Sequence, residues 1–210
     1  MSGTYKHAII VCHPDLESFT MAVADRYAKT VRGHAHEAII RDLYRMQFDP
    51  VLKAEERRGD PAEDVVQEWN LLGEPDVFVL VYPIWFGTPP AMLKGYIDRV
   101  FGAGRARLTN GGASTAELLS GRRLVSLTSS GSLRAWLDEK GVLGSLHTVY
   151  DRYLADVFGF AATHRYHFDG VTDQIPERDI RMHLFDLEQA ARHIMSRMVS
   201  RPQIRSSNLS

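Results

Sequence analysis

Asp76-Val77-Phe78-Val79-Leu80-Val81-Tyr82, halted by Pro83, is the most apolar run in the chain. It reads as a strand covered on both faces, which places it at the centre of a sheet. Upstream, His7–Cys12 is a second short apolar run, too brief for a helix and rich in Ile and Val. Between these two strands, Met21, Val23, Ala24, Tyr27, Ala28 and Val31 recur at helical spacing. Ser18 or Thr20 serves as the cap of that helix and Gly33 as its stop. Ala35–Asp42 is β-like and passes into an irregular segment closed by Pro50. Pro61–Leu72 reads as a helix with its proline in the first turn.

Downstream of the central run, Ile84–Pro90 is a loop holding Trp85, Phe86 and two prolines. Ala91–Phe101 follows as an amphipathic helix with Leu93, Ile97 and Val100 on one stripe. Gly102–Gly121 is rich in Gly, Ala, Ser and Thr and exceeds the usual connector length, so it is expected to be a surface loop serving binding or a partner. Arg123–Thr128 is a strand ending in Ser129-Ser130-Gly131-Ser132. Val142–Phe158 is helical, Thr163–Phe168 is a last strand, and Pro176–Val199 closes as a helix. Five strands alternating with helices imply right-handed crossovers and a doubly wound parallel sheet with helices on both faces, an α/β fold. Residues 1–200 are expected to form a single domain, followed by a flexible tail at 201–210.

Composition narrows the function. Lys+Arg 25 against Asp+Glu 26 leaves a formal net charge of -1, without the basic excess that nucleic-acid binding needs. Hydrophobic residues at 44% and charged residues at 24% are those of a globular chain. The single cysteine, Cys12, forbids an intrachain disulfide and points to a reducing setting, the cytoplasm. His13-Pro14-Asp15 cuts the first apolar run too early for a secretion signal, and no stretch has the length of a membrane span.

Ligands of such sheets bind beyond the carboxyl ends of the strands, so the chemistry is sought in the loops after the first, third and fourth. His13 to Thr20 places a histidine and two hydroxyls at a helix amino terminus, suited to an anion such as phosphate; simple N-capping is the alternative. Tyr82 to Pro90 offers Trp85 and Phe86 as stacking rings with Gly87 beside them, or else as packing or interface residues. Thr128-Ser129-Ser130-Gly131-Ser132 is a row of hydroxyls and amides suited to the edge of a polar heterocycle, or an ordinary polar turn.

Other motifs fail. Gly102-Ala103-Gly104 lacks a third glycine and follows a helix, so it is no dinucleotide fingerprint, and there is no Walker loop or nucleophile elbow. The pairs His34/His36 and His164/His167 come without a third ligand at zinc-like spacing. Cys12 reads as a small core residue.

The motifs His13-Pro14-x-x-x-Ser18-Phe19-Thr20, Arg41-Asp42-Leu43-Tyr44-x-Met46-x-Phe48-x-Pro50, Tyr82-Pro83-Ile84-Trp85-Phe86-Gly87-x-Pro89 continuing to Phe101, and the Thr128–Ser132 turn resemble the flavodoxin-fold NAD(P)H:quinone oxidoreductases. The resemblance runs from about His7 to Asp169 and implies strand order 2-1-3-4-5. It also implies a noncovalent flavin, FMN or FAD, reduced by NAD(P)H. Two-electron transfer to a quinone-like planar acceptor and a homodimer with the flavin at its interface complete the expectation.

Carried over residue by residue, the resemblance puts His13, Ser18, Phe19 and Thr20 around the flavin phosphate and ribityl chain. Pro83, Ile84, Trp85 and Phe86 come to lie along the isoalloxazine, and Thr128, Ser129, Ser130 and Gly131 at its pyrimidine edge. Trp85, Ser129, Ser130 and Gly131 are the candidates for catalysis, the last three as donors where charge develops. Nicotinamide and acceptor sharing one ring face implies a ping-pong cycle. Two departures stand out. Trp136 and Val142 occupy the positions near the Tyr and His of the animal enzymes' charge relay, and Trp69 stands near a Gln beside their flavin pyrophosphate. A regulatory flavoprotein subunit of a potassium-efflux-type transporter is the alternative reading, and a flavodoxin-type electron carrier a weaker third, since such carriers are strongly acidic.

Overall fold

A computed structural model describes residues 3–104 and 119–199. The strands are β1 (Lys6–Val11), β2 (Glu37–Asp42), β3 (Val77–Pro83), β4 (Arg123–Ser129) and β5 (Ala162–Phe168). All pair in parallel, in the order β2-β1-β3-β4-β5. The helices are α1 (Phe19–Gly33), α2 (Ala54–Arg57), α3 (Glu63–Leu72), α4 (Ala91–Tyr96, continued by wider π-type turns over Ile97–Gly104) and α5 (Arg134–Glu139). α6 runs from Val142–Leu146 through a π-type segment, His147–Tyr153, to Leu154–Phe158, and α7 is Glu177–Val199. None of the described helices is long and apolar enough to cross a membrane.

β3 lies at the centre with every residue buried, and its alternation divides the core in two. Phe78, Leu80 and Tyr82 pack with α3, α4 and α6, whereas Val77, Val79 and Val81 pack with α1 and α7. The register sets Val79 between Ile9 and Val125, so the carboxyl ends of β3 and β4 stop level and that of β1 lies two residues short of them. That register brings the three loops to one rim.

Several sequence expectations are refined. The helix expected to end at Phe101 continues to Gly104, so the first three residues of the expected Gly102–Gly121 loop are helical; residues 105–118 lie outside the described residues, as does the tail at 201–210. Short helices α2 and α5 were not expected. α2 carries Glu56, buried against Arg99, with N···O 2.9 Å. Trp69 is a core residue: its indole N–H donates to Val100 O at 2.9 Å and its ring meets Phe78 edge-on. It is not among the described residues that line the cleft below, and the buried face it occupies leaves it no route to a ligand there. Cys12 is buried directly after β1, its N–H on Val81 O, and burial pushes its thiol up to about 12.

Candidate active site

The carboxyl ends of the strands open onto a cleft of about 560 Å³. One end is the start of α1. Ser18 is the N-cap, extended at φ -69 and ψ 154, and its Oγ accepts the Met21 N–H at 3.3 Å. The main-chain N–H groups of Phe19 and Thr20 find no acceptor among the described residues, as first-turn donors do unless a ligand or water meets them. His13 Nδ1 lies 3.0 Å from Asp15 N, whose N–H it accepts in one tautomer, and 3.2 Å from Asp15 O, to which it donates in the other. Arg45, in the irregular segment after β2, donates to Pro14 O at 2.8 Å and His13 O at 3.3 Å and so holds this loop. His13, Ser18, Phe19 and Thr20 all line the cleft, together with the acids Asp15 and Glu17.

The middle is the turn after β3. Ile84 N–H donates to Ser129 O at 2.7 Å, tying this turn to the end of β4, and Ile84 packs on Leu137, Leu143 and Leu146 of α5 and α6. Trp85 and Thr88 exchange N–H···O bonds of 2.9 and 3.1 Å, and the two residues between them, Phe86 (φ 50) and Gly87 (φ 81), are both left-handed, a tight primed turn. Pro83, Ile84 and Trp85 face the cleft. Phe86 does not: the turn throws its ring fully into solvent.

The far end is the turn after β4, where Ser129, Ser130 and Gly131 line the cleft. The Ser130 N–H is taken by Phe168 O at 3.0 Å, so this amide is not among the donors offered to a ligand. The Ser129 hydroxyl and Gly131 N–H have no partner among the described residues. Thr128 lies behind the cleft, buried, with Oγ1 3.0 Å from His167 Nδ1. Trp136 stands exposed on α5 and Val142 begins α6; neither lines the cleft.

A fourth segment, after β5, closes the wall with Val171, Thr172, Asp173 and Ile175. Sequence reasoning passed over it, and over Arg45 and His167. The strand-end rule that singled out three loops also points to the one after β5. His167 carries no local signal, because its partners Thr128 and Ser130 are 39 and 37 residues away.

A flavin suits this surface. Unpaired amides, hydroxyls and an imidazole at one end are donors that a phosphate would need, Trp85 is an aromatic face in the middle, and the two unpartnered donors at the other end suit a polar ring edge. No cluster of His, Cys, Asp and Glu among the described residues has the makings of a metal site.

Fold and cleft together define a parallel α/β ligand-binding protein whose site is shared by several strand ends. The chain belongs to the flavodoxin-like fold family, whose sequence pattern matches residues 5–191. It is similar to a protein of Haemophilus influenzae named as an uncharacterized NAD(P)H oxidoreductase, 37% identical over 146 residues, which span 67% of this chain and 72% of that one. Two other relatives, a protein named NAD(P)H dehydrogenase [quinone] 1 of Cavia porcellus and an uncharacterized NAD(P)H oxidoreductase of Escherichia coli, are matched over 62% and 53% of their own length. Among solved structures, the NAD(P)H:quinone oxidoreductase from Methanothermobacter marburgensis aligns with a TM-score of 0.76 at 24% identity, over 92% of this chain and 98% of that one. An FMN-dependent NADH-azoreductase from Bacillus anthracis, solved in complex with FMN, aligns with a TM-score of 0.64 at 19% identity, over 91% and 99%. The two solved structures share the fold.

Proposed function

We propose that the chain is an NAD(P)H-dependent flavoprotein oxidoreductase that reduces quinones or similar planar acceptors by two electrons. The observation that carries this reading is the convergence of three separate turns on one cleft with unpaired donors at both ends and Trp85 between them. Similarity to NAD(P)H oxidoreductases and to a quinone oxidoreductase of the same fold supports it.

When bound, a flavin would supply the redox chemistry that carries two electrons from the nicotinamide to the acceptor. Ser18, Thr20 and the first-turn amides of α1, with the His13 imidazole, would hold the phosphate. Pro83, Ile84 and Trp85 shape an apolar slot that positions flat partners and excludes water. The Ser129 hydroxyl and Gly131 N–H would donate to the ring edge that gains negative charge, fixed in place before the reaction. Donor and acceptor sharing one ring face would bind in turn, a ping-pong cycle. FMN and FAD share the groups these residues recognise.

The reading includes a homodimer. Phe86, Leu133, Trp136, Val149 and Tyr153 are large apolar side chains left exposed on the Phe86 turn, at the cap of α5 and on α5 and α6, and a second copy would cover them. It also includes the cytoplasm, where the lone thiol of Cys12 stays reduced.

The test is to purify the protein, record its visible spectrum with and without added FMN or FAD, and follow NADH or NADPH oxidation with menadione. Flavin uptake and acceptor-dependent oxidation of either nucleotide are expected. A colourless protein that takes up neither flavin and oxidises neither nucleotide overturns the reading.

A further inference from the structure

His167, at the carboxyl end of β5, uses both ring nitrogens on residues of β4 and its turn. Nδ1 is 3.0 Å from Thr128 Oγ1, and Nε2 is 3.1 Å from Ser130 Oγ. Thr128 is buried behind the cleft, while Ser130 lines it, so Ser130 is the member of the chain that reaches a ligand.

Counting hydrogens leaves two complete patterns. In the first, the Thr128 hydroxyl donates to Nδ1 and Nε2–H donates to Ser130 Oγ. The Ser130 hydrogen is then free of the ring and goes to Ser132 O at 2.8 Å, or to a ligand. In the second, Nδ1–H donates to Thr128 Oγ1, whose own hydrogen must go to Tyr166 O at 3.3 Å, and Ser130 donates back to Nε2. The first uses the shorter bonds, one of them from Ser130 to Ser132 O, and it alone leaves the Ser130 hydrogen free of the imidazole.

Burial, opposed by Asp169 and Asp138 and reinforced by Arg134 and Arg165, holds His167 at about 4, so the ring is neutral near pH 7 and carries one N–H. His147 of α6 and His183 and Asp186 of α7 face the same hollow from the other elements.

We propose that His167 is a positioning residue of the candidate active site: a neutral Nε2–H donor, fixed by Thr128, that keeps the Ser130 hydrogen off the ring, so that it passes from Ser132 O to the ligand atom on which negative charge gathers. The inference rests on the flavin reading of the cleft. It assigns to a histidine at the end of β5 an orienting task for which Trp136 and Val142, which do not line the cleft, are not placed. A row of donors all pointing one way polarises cooperatively toward developing charge, and a neutral imidazole donates without the cost of burying a cation.

The test uses the full chain with His167→Leu, which removes both bonds, and His167→Gln, whose amide restores a donor and an acceptor. Nitrogen NMR of the wild type without added flavin is expected to show the Nε2–H tautomer at pH 7. With flavin bound, His167→Leu is expected to lose roughly fivefold in preference for reduced over oxidised flavin, one hydrogen bond's worth, read as a more negative midpoint potential. His167→Gln regains most of it, and Ser130→Ala adds nothing further in the Leu background. An Nδ1–H tautomer, or an unchanged potential in a folded His167→Leu protein, overturns the inference. Where the Leu variant fails to fold, Thr128→Val, which removes only the tautomer-fixing hydroxyl, decides by the same readout. A wild type that takes up no flavin overturns the reading of the cleft itself, and the two failures are told apart by that first titration.

Discussion

The imidazole of His13 and the indole of Trp85 meet edge to face, 5.7 Å between centroids and 60° apart, joining the loop after β1 to the turn after β3. Trp85 is 38% exposed, so little of the fold depends on it, whereas the width of the slot does. Trp85→Ala is expected to weaken flavin binding roughly 3- to 10-fold, the worth of one aromatic pair with its surface, and to leave the melting temperature nearly unmoved. Trp85→Phe keeps most of the affinity. Fluorescence titration checks this, and equal affinity for wild type and the Ala variant removes Trp85 from the site.

Ser18 has two tasks, capping α1 and lining the cleft. Ser18→Ala is expected to cost about 1 kcal/mol of stability, as lost N-caps do, and to weaken FMN more than riboflavin, which lacks the phosphate. The carboxylates of Asp15, Glu17 and Asp173 oppose an anion at the same rim. Asp173→Asn is therefore expected to tighten FMN binding at low salt, with the gain fading as salt screens the exposed charge. Wild-type protein that binds riboflavin as well as FMN shows that α1 does not hold the phosphate.

The central strand was legible because burial on both faces writes an unbroken apolar run, and the cleft because it follows from where parallel strands end. Phe86 and Thr128 adjoin residues that line the cleft, but a left-handed turn ejects the first and strand alternation turns the second inward. Neither effect shows in composition. Helix α2 reads Ala-Glu-Glu-Arg, with no apolar stripe to betray it. Arg99 looks like a solvated charge, yet it is buried with Phe48 beneath its guanidinium and Glu56 and Asp64 as partners, an arrangement only the tertiary fold assembles.

Gly95 in α4 lies against the chain at Pro50: a Cβ there would come within 2.3 Å of the Pro50 carbonyl oxygen and 2.5 Å of its Cα. Backbone cannot give way as a side chain does, so Gly95→Ala is expected to cost at least the roughly 1–3 kcal/mol of an overpacked core. Gly102→Ala, whose Cβ meets nothing closer than 3.6 Å, is expected to be neutral or slightly stabilising. Urea denaturation of the two variants checks the contrast, and equal midpoints mean that α4 and the Pro50 segment separate at little cost.

His7 is fully buried, with Nδ1 3.1 Å from the Tyr27 hydroxyl and Nε2 without a partner among the described residues. Burial first, then the nearby charge of His36, lowers it to about 3. An unfolded histidine titrates near 6.5, so between pH 6.5 and 3 the unfolded chain binds a proton that the folded one refuses. This group's contribution is therefore complete above pH 6.5 and falls with pH through that window, by at most about 1.4 kcal/mol per pH unit. His167, at about 4, acts in the same direction, and His36 and His164 are lowered too. Unfolding near pH 5 is accordingly expected to take up more than one proton. Replacing His7 and Tyr27 together by Phe, which leaves neither partner stranded, is expected to reduce that uptake by about one proton, read from the slope of the urea-derived stability against pH. An unchanged slope in the double variant means that His7 is protonated in the folded protein and that its pocket admits water.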